Sequence, residues 1–568
     1  MAAIPAGDVA RLDAPAVAKL LLELGRRIAL TETNPFRARA YVRAAESLET
    51  LTEPLDRRIA ENRLTEVPGI GDALAAVIAE LHRTGTYPLL EKLRQDIPEG
   101  VLNMLSVPGL RPDKILLLYK EGGITGLAEL EEAASEDRLR GMKGIGAALQ
   151  RKILQGMAIR KTAQGGRHVH RAAEQLAAAE AELRQSQPGL VRVVPAGGVR
   201  RGGEIVADLA VVAEVERLDS GPGVVKSGAL AVHVTDAQHF GSSLLQATGS
   251  ERHLQQLRDL ATSAGLSLSP DGLRRGREIV ASRAEEDVYK ALGLPYIEPE
   301  LREGRDEIAL AKAGRLSRLV RSADVNGILH AHTDASDGVN TLEEMAEAAR
   351  SRGYEYIGIT DHSKSAHYAG GLTIPEVEEQ HAEIDRLNER FGGRFRIFKG
   401  IESDILPDGS LDYPDEILRR FDLIIASVHG QFRMGRDAQT ERLVRASANP
   451  FVSVIGHMTG RQLLRRPGYD LDIERVLHAC AEHGVAVEIN GNPWRLDLDW
   501  RWHQRGCELG CLFSINPDAH SVPEIDSSTH WGVEVARKGG LGRDRVVNAL
   551  DLSAFTRWLD TRRSRAVA

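Results

Sequence analysis

The strongest constraint on the fold is a recurring form between positions 327 and 520. Short apolar runs return there at 327–329, 356–360, 395–398, 423–426, 452–455, 485–489 and near 514, separated by amphipathic helical stretches. That alternation predicts a parallel α/β barrel. In such barrels functional groups gather at the C-terminal ends of the strands. Six of these seven runs are followed by metal-ligand types: His330, His332 and Asp337, then His362, Glu402, His429, His457, and finally Asp518 with His520. On a strand, residues i and i+2 face the same way, so His330 and His332 can present two imidazoles to one point. Imidazole with carboxylate suits Zn, Mn or Fe. One His after a strand is ordinarily a satisfied loop residue, but nine ligand types in register point to a metal centre. His367, His483, His503 and His530 lie off this pattern and are read as non-ligands.

The length of 568 residues requires more than one domain. A formal net charge of -8 argues against a uniformly basic nucleic-acid coat and leaves room for local or backbone-mediated contacts. Cys480, Cys507 and Cys511 form neither a disulfide framework nor a CxxC pair, which fits a reducing compartment. Residues 1–16 show no basic-then-apolar signal pattern, and no apolar run is long enough to span a bilayer. The expectation is a cytoplasmic protein, without membrane contact and nucleoid-associated when bound to DNA.

The first 60 residues read as helices, one of them opening at Asn34-Pro35. Beyond them, Val67-Pro68-Gly69-Ile70-Gly71 opens an apolar-periodic helix. The design returns at Val107-Pro108-Gly109-Leu110-Arg111 and at Met142-Lys143-Gly144-Ile145-Gly146. These resemble helix-hairpin-helix elements. Glycine lets backbone N–H groups at a helix start touch a phosphate, so Gly69, Gly71, Gly109, Gly144 and Gly146 are candidate DNA contacts of the non-sequence-reading kind. An ordinary helix–helix turn is the competing reading, weakened by three copies. The middle copy departs from the pattern, with Arg111-Pro112 after its first glycine. The domains expected are 1–90, helical and DNA-binding, and 91–165, a second hairpin region.

Residues 196–212, with Gly198, Arg200-Arg201 and Asp208-Leu209-Ala210, resemble the palm of a family-X DNA polymerase. That resemblance implies Asp-x-Asp on one strand and a third Asp on a neighbour, holding two Mg²⁺. Asp208 matches the first carboxylate. Ala210 replaces the second, Ala231 the third, and Gly198 a phosphate-contacting serine. One carboxylate cannot hold two divalent ions, so residues 166–310 are expected to be a palm and thumb inactive as a polymerase. Thr248-Gly249-Ser250-Glu251-Arg252 and the thumb-like 285–297 continue the resemblance.

Residues 325–568 are similar to the PHP (polymerase and histidinol phosphatase) domain, closest to the module fused to bacterial family-X polymerases. The carrying motifs include Gly400-Ile401-Glu402, Gly456-His457-Met458-Thr459-Gly460-Arg461 and Glu488-Ile489-Asn490-Gly491-Asn492-Pro493. Pro517 stands where the family more often has Thr. The resemblance implies a seven-stranded barrel and three divalent metals, Mn or Zn with Fe also admitted. His330, His332, Glu402 and Asp518 would hold the first, and Glu402, His429 and His457 the second. Asp337, His362 and His520 would hold the third. Such ions make hydroxide available near neutral pH and stabilise the oxygens of an in-line phosphoester displacement. Glu402 is the bridging catalytic candidate. Arg461 is a candidate phosphate clamp, with a surface ion pair as the equal alternative.

The expected architecture is multidomain: an all-α helix-hairpin-helix region, an α/β polymerase-X-like palm and thumb, and a C-terminal (β/α)7 PHP barrel. The expected function is a metal-dependent DNA phosphodiesterase for repair. It would act as a 3′-5′ exonuclease, with abasic-site cleavage as an extension, on gapped, nicked or 3′-end DNA. An active family-X repair polymerase, a small-molecule phosphomonoesterase and a non-catalytic DNA scaffold are the rivals.

Overall fold

The computed structural model describes residues 11–565 apart from 32–34, 50, 52, 143, 164, 188, 219 and 220. Residues 1–10 of the signal-peptide reading, Asn34 at the expected helix opening and Lys143 of the third hairpin therefore lie outside the described residues. The chain forms two compact units that meet in sequence after Lys312, with Leu464–Arg466 belonging to the first.

The first unit begins with helix Ala14–Thr31, in which Val17, Leu21, Leu24 and Ile28 repeat at helical spacing and are fully buried. They pack in one core with Tyr41, Leu48, Val77, Ile78 and Leu81. The three hairpins share one turn. Ile70, Leu110 and Ile145 donate their N–H to Val67, Val107 and Met142. Gly69, Gly109 and Gly144 sit at φ +84°, +77° and +86°, a left-handed conformation that disfavours any other residue. The middle copy thus keeps the same backbone despite Arg111, whose extended φ and ψ match those of a helix-start residue. Helices Asp72–Thr84, Pro112–Lys120 and Ala147–Ala163 follow the turns.

A four-stranded sheet comes next, built from β1 (Leu190–Pro195), β2 (Leu209–Val215), β3 (Gly223–Ser227) and β4 (Leu230–Thr235) in the order β1-β2-β4-β3. β2 and β4 run parallel, with Ala210 directly opposite Ala231. Helix Phe240–Thr248 covers the sheet through Phe240 and Leu244. A three-stranded antiparallel sheet spans 267–281.

The second unit holds seven parallel strands in sequential order: β5 (Gly327–Ile328), β6 (Tyr356–Ile359), β7 (Arg396–Asp404), β8 (Leu423–Ser427), β9 (Val454–Ile455), β10 (Ala486–Asn490) and β11 (Phe513–Asn516). A parallel bridge between Ala331 and Ala519 joins the two edges, with His332 N–H donating to Ala519 O at 2.8 Å. The barrel is therefore nearly closed, as the alternating pattern predicts. Tyr356, Phe398, Leu423 and Ile425 fill its interior, and Phe555 and Leu559 of the C-terminal helix plug one end. Tyr356 stacks on Phe555 at 4.6 Å. Gly327 is required there, because a Cβ on it would lie 2.0 Å from the Tyr356 ring. No described helix is long and apolar enough to cross a membrane.

Candidate metal centre

The hydrogen-bonded part of β5 stops at Ile328, so the His-x-His pair lies just past a two-residue strand rather than on it. The cause is local. Ile328 and Ala331, three residues apart, both pack into the outer core, which breaks strict alternation between them. The Ala331 bridge then restores extended chain, and His330 and His332 leave it on the inner side, both fully buried with ring centroids 5.1 Å apart.

Three groups of ligand atoms converge there: His330, His332 and Asp518; His332, Asp337, His362 and His520; and His362, Glu402 and His429. Asp518 Oδ1 lies 3.5 Å from His330 Nε2 and 3.3 Å from His332 Nε2. Asp337 Oδ1 lies 3.5 Å from His362 Nε2 and 3.3 Å from His520 Nε2. Glu402 is the hub. Its Oε1 is 3.5 Å from His330 Nε2, 3.2 Å from His429 Nε2 and 2.9 Å from His457 Nε2. Its Oε2 is 3.0 Å from His362 Nδ1. The sorting differs in detail from the three sets expected above, since His332 and His362 are each shared between two groups.

The donor set fits divalent cations. Both Glu402 oxygens, both His332 nitrogens, His330 Nε2 and His362 Nδ1 are buried without a hydrogen-bond partner, an arrangement that is costly unless a cation satisfies it. Asp518 adopts φ +52°, a strained backbone of the kind held in place at functional sites.

The electrostatics are those of mutually neutralising opposite charges. Burial opposes protonation of His362, but Glu402 and Asp337 overcome it and raise its pKa to about 10. His429 is raised to about 9 against burial by Glu402 and Asp404, and His520 to about 9 by Asp337 and Asp518. His332 goes the other way, to about 3, through burial and its cationic neighbours His362 and His520. Glu402 and Asp518 stay well below the usual carboxylate range, the surrounding histidines outweighing burial.

Two carboxylates outside the expected ligand set orient the site. Glu488 Oε1 accepts from His330 Nδ1 at 2.6 Å, and Asp404 Oδ1 accepts from His429 Nδ1 at 2.5 Å. Each bond takes one ring nitrogen and leaves Nε2 facing Glu402, the usual carboxylate–histidine–metal relay. Asp404 sits two residues after Glu402 on β7, on the same face, a period-two signal that could have found it.

The guanidinium of Arg461, the candidate phosphate clamp, is engaged by the chain at 495–499. Its Nε donates to Arg495 O at 3.1 Å, Nη2 donates to Leu496 O, and Nη1 pairs with Asp499 at 3.1 Å. Its ion pair is the alternative role admitted from sequence, and it braces the loop that carries Arg495. Arg495 Nε lies 3.8 Å from Asp518 Oδ2. The off-pattern His503 is buried and bonded to Leu498 O at 3.2 Å.

In the first unit, the palm positions hold no second carboxylate. Ala210 and Ala231 face each other in register, and none of the three ligand groups contains Asp208. The Asp208 carboxylate accepts from Gly198 N–H at 3.1 Å. It fills the space beside Gly197 and Gly198, where Cβ atoms would lie 2.5 and 2.8 Å from its oxygens. Arg200 is bidentate to Glu285 at 2.8 and 2.7 Å, and Arg201 donates to Thr248 O at 2.7 Å. Gly71 and Gly146 have no atom within 4 Å of where a Cβ would stand, so no internal packing demands glycine there.

Fold and site together define the architecture of the family-X DNA polymerases with a fused PHP barrel. The matching families are a helix-hairpin-helix domain over 13–87, a SAM-like helix-hairpin-helix tandem over 101–158, a DNA polymerase beta thumb over 243–303 and a PHP domain over 329–492. The chain is 34% identical over 567 residues to the DNA polymerase/3'-5' exonuclease PolX of Bacillus subtilis (strain 168), covering 94% of this chain and 97% of that one. It belongs to the PolX family. Its barrel is also 32% identical over 210 residues to a probable phosphatase of Caldanaerobacter subterraneus subsp. tengcongensis, covering 34% of this chain and 74% of that protein. Against a probable phosphatase of Acetivibrio thermocellus the identity is 33% over 235 residues, 39% of this chain and 84% of the relative.

Proposed function

We propose that the chain is a metal-dependent DNA phosphodiesterase that removes nucleotides from 3′ ends, and that its palm no longer polymerises. The helix-hairpin-helix segments, as domains 1–90 and 91–165, and the palm and thumb of 166–310 hold DNA. The 325–568 barrel cuts it. Gly69, Gly71, Gly109, Gly144 and Gly146 take backbone phosphates.

The observation that carries the reading is the Glu402 hub, whose two buried oxygens are shared among four imidazoles within 3.5 Å. Three divalent ions, Mn or Zn or Fe, fit the nine ligands. They would supply Lewis acidity and a hydroxide nucleophile near neutral pH. The protein's own part is to hold the donors in place. Glu488 and Asp404 fix two rings, and His332 stays neutral, so that one of its ring nitrogens keeps a lone pair for a metal. The 3′-5′ polarity follows the name of the Bacillus subtilis relative. Cleavage at abasic sites in base-excision repair, in the cytoplasm on nucleoid DNA, extends the same chemistry.

The loss of polymerisation rests on Ala210 beside Ala231, and on Asp208 being taken up by the Gly198 N–H. Template-directed incorporation on a gapped duplex that disappears in Asp208→Ala would overturn this part. The nuclease reading is tested by Mn²⁺-dependent digestion of single-stranded and primer-template DNA by wild type and His330→Ala. Equal digestion by the two ends it.

The probable-phosphatase relatives favour a second reading, hydrolysis of a small phosphomonoester by the barrel. It predicts that p-nitrophenyl phosphate and simple sugar phosphates turn over faster than any DNA strand in the full-length protein.

A further inference from the structure

Three large hydrophobic side chains of the barrel unit stand out in water among the described residues: Val339 at 74%, Tyr368 at 71% and Trp494 at 47% exposure. They are far apart in sequence, yet all follow the C-terminal ends of strands, on loops after β5, β6 and β10. Two of them contact proposed ligand residues, and the third stands next in sequence to a residue that does. Val339 N–H donates to His520 O at 2.9 Å. The Tyr368 ring centroid is 6.3 Å from that of His362 and 6.4 Å from that of His429. Trp494 precedes Arg495, whose guanidinium lies 3.8 Å from Asp518.

Large apolar side chains left substantially exposed at one mouth mark a binding surface. The backbone under Trp494 is fixed. Its N–H donates to Asn492 Oδ1 at 3.1 Å, and its carbonyl accepts from Leu463 N–H at 2.7 Å. Arg461 holds the two carbonyls that follow it. The loop therefore presents the Trp494 ring from a braced base. Two exposed rings and a guanidinium around an anion-hydrolysing centre match the chemistry of unpaired nucleotides: flat apolar bases joined by phosphate. A paired end is a poor match, because its base faces are covered by their own stack.

We propose that Tyr368 and Trp494 stack the unpaired terminal bases of a DNA 3′ end, while Arg495 takes the phosphate beside them. This inference rests on the nuclease reading and narrows it to single-stranded 3′ termini. Tyr368 and Trp494 are positioning residues, and Arg495 is the phosphate contact in place of Arg461.

The test uses full-length protein, Mn²⁺ and two strands: (dT)20, and the same strand with its last two nucleotides replaced by base-less tetrahydrofuran sugars. Stacking is worth about 1–3 kcal/mol per base, or roughly five- to hundred-fold. Tyr368→Ala and Trp494→Ala are each expected to raise KM for (dT)20 by roughly that factor. Their effect on the base-less strand should shrink below about threefold, because the partner base is already gone. Tyr368→Phe and Trp494→Phe, which keep a π-face, should restore most of the affinity. Anisotropy of 5′-fluorescein (dT)4 on the protein without added metal provides a reading independent of turnover and should weaken in the alanine variants alone. Bound Mn²⁺ and thermal midpoint, measured on every variant, report folding. Alanine variants that keep wild-type KM on (dT)20, or that lose both strands equally, overturn the stacking clamp. A wild type that degrades no strand in Mn²⁺ overturns the nuclease reading itself and the clamp with it.

Discussion

Glu488 Oε1 lies 2.6 Å from His330 Nδ1, a bond between two fully buried side chains 158 positions apart. The same carboxylate accepts from Asn516 Nδ2 at 2.9 Å and from His457 N–H at 2.5 Å. One side chain of β10 therefore fixes one proposed ligand ring and the backbone of another.

Removing that support should weaken metal binding without deleting a ligand. Orienting carboxylates of this kind are worth about 10- to 100-fold in affinity. Glu488→Ala is expected to lower Mn²⁺ affinity within that range by titration calorimetry, and Glu488→Gln, which keeps an acceptor for Nδ1–H, by less. Unchanged affinity in both would show that His330 holds its orientation by packing alone.

Proton competition sets the pH dependence of metal loading. His429 and His520 at about 9 and His362 at about 10 are protonated at pH 7 in the metal-free protein. Their ordinary value is about 6.5. The folded state thus binds these protons more tightly than the unfolded chain. The stability they confer is fully present below about pH 6.5 and is lost as pH rises through about 9–10. A cation must displace the protons, so Mn²⁺ binding should release them and strengthen from pH 6 to pH 9. Calorimetry in buffers of different ionisation enthalpy counts the protons; a binding heat independent of buffer at pH 7 contradicts the assignment.

Asp208 is expected to matter for stability and not for nucleotide incorporation. Its carboxylate receives the Gly198 N–H but is solvent-exposed, and a hydrogen bond screened in this way contributes about 0.5–1.5 kcal/mol. Asp208→Ala should lower unfolding free energy by about that amount, read by urea denaturation, and Asp208→Asn by less. A fully stable alanine variant would show that the contact is incidental.

The first unit depends on a buried ion cluster. Arg302 is fully buried and pairs with Glu285 at 2.5 Å, and Arg200 grips the same carboxylate. These two arginines outweigh burial and hold the Glu285 pKa down at about 2. Glu285→Ala would leave two guanidinium groups unpaired, at a cost of roughly 3–5 kcal/mol. Limited proteolysis and thermal unfolding should show the first unit melting earlier, while the barrel keeps its own transition.

Most of the architecture was legible in the chain because it is written in local terms. Continuous apolar runs at 356–359 and 423–427, buried at every position, read as parallel strands covered on both faces when helices alternate with them. A left-handed glycine after Val-Pro or Met-Lys can only make one turn, which is why three hairpins share it even where Arg111 breaks the motif. The candidate ligand types could also be picked out in the sequence, since they stand in or after the strands at one end of the barrel.

Tertiary structure decided what depends on distance through space. Nothing local says that His332 and His362 are each shared between two groups, or that Glu488 and Asp404 orient the rings. Nothing local says that Arg461 is drawn into the carbonyls at 495–496 while Arg495 is left beside Asp518. The pairing of Ala210 with Ala231 likewise follows from strand register. Side-chain type is a property of one residue, but the partner of a buried charge is chosen by which strands closure of the barrel and sheet brings within about 4 Å.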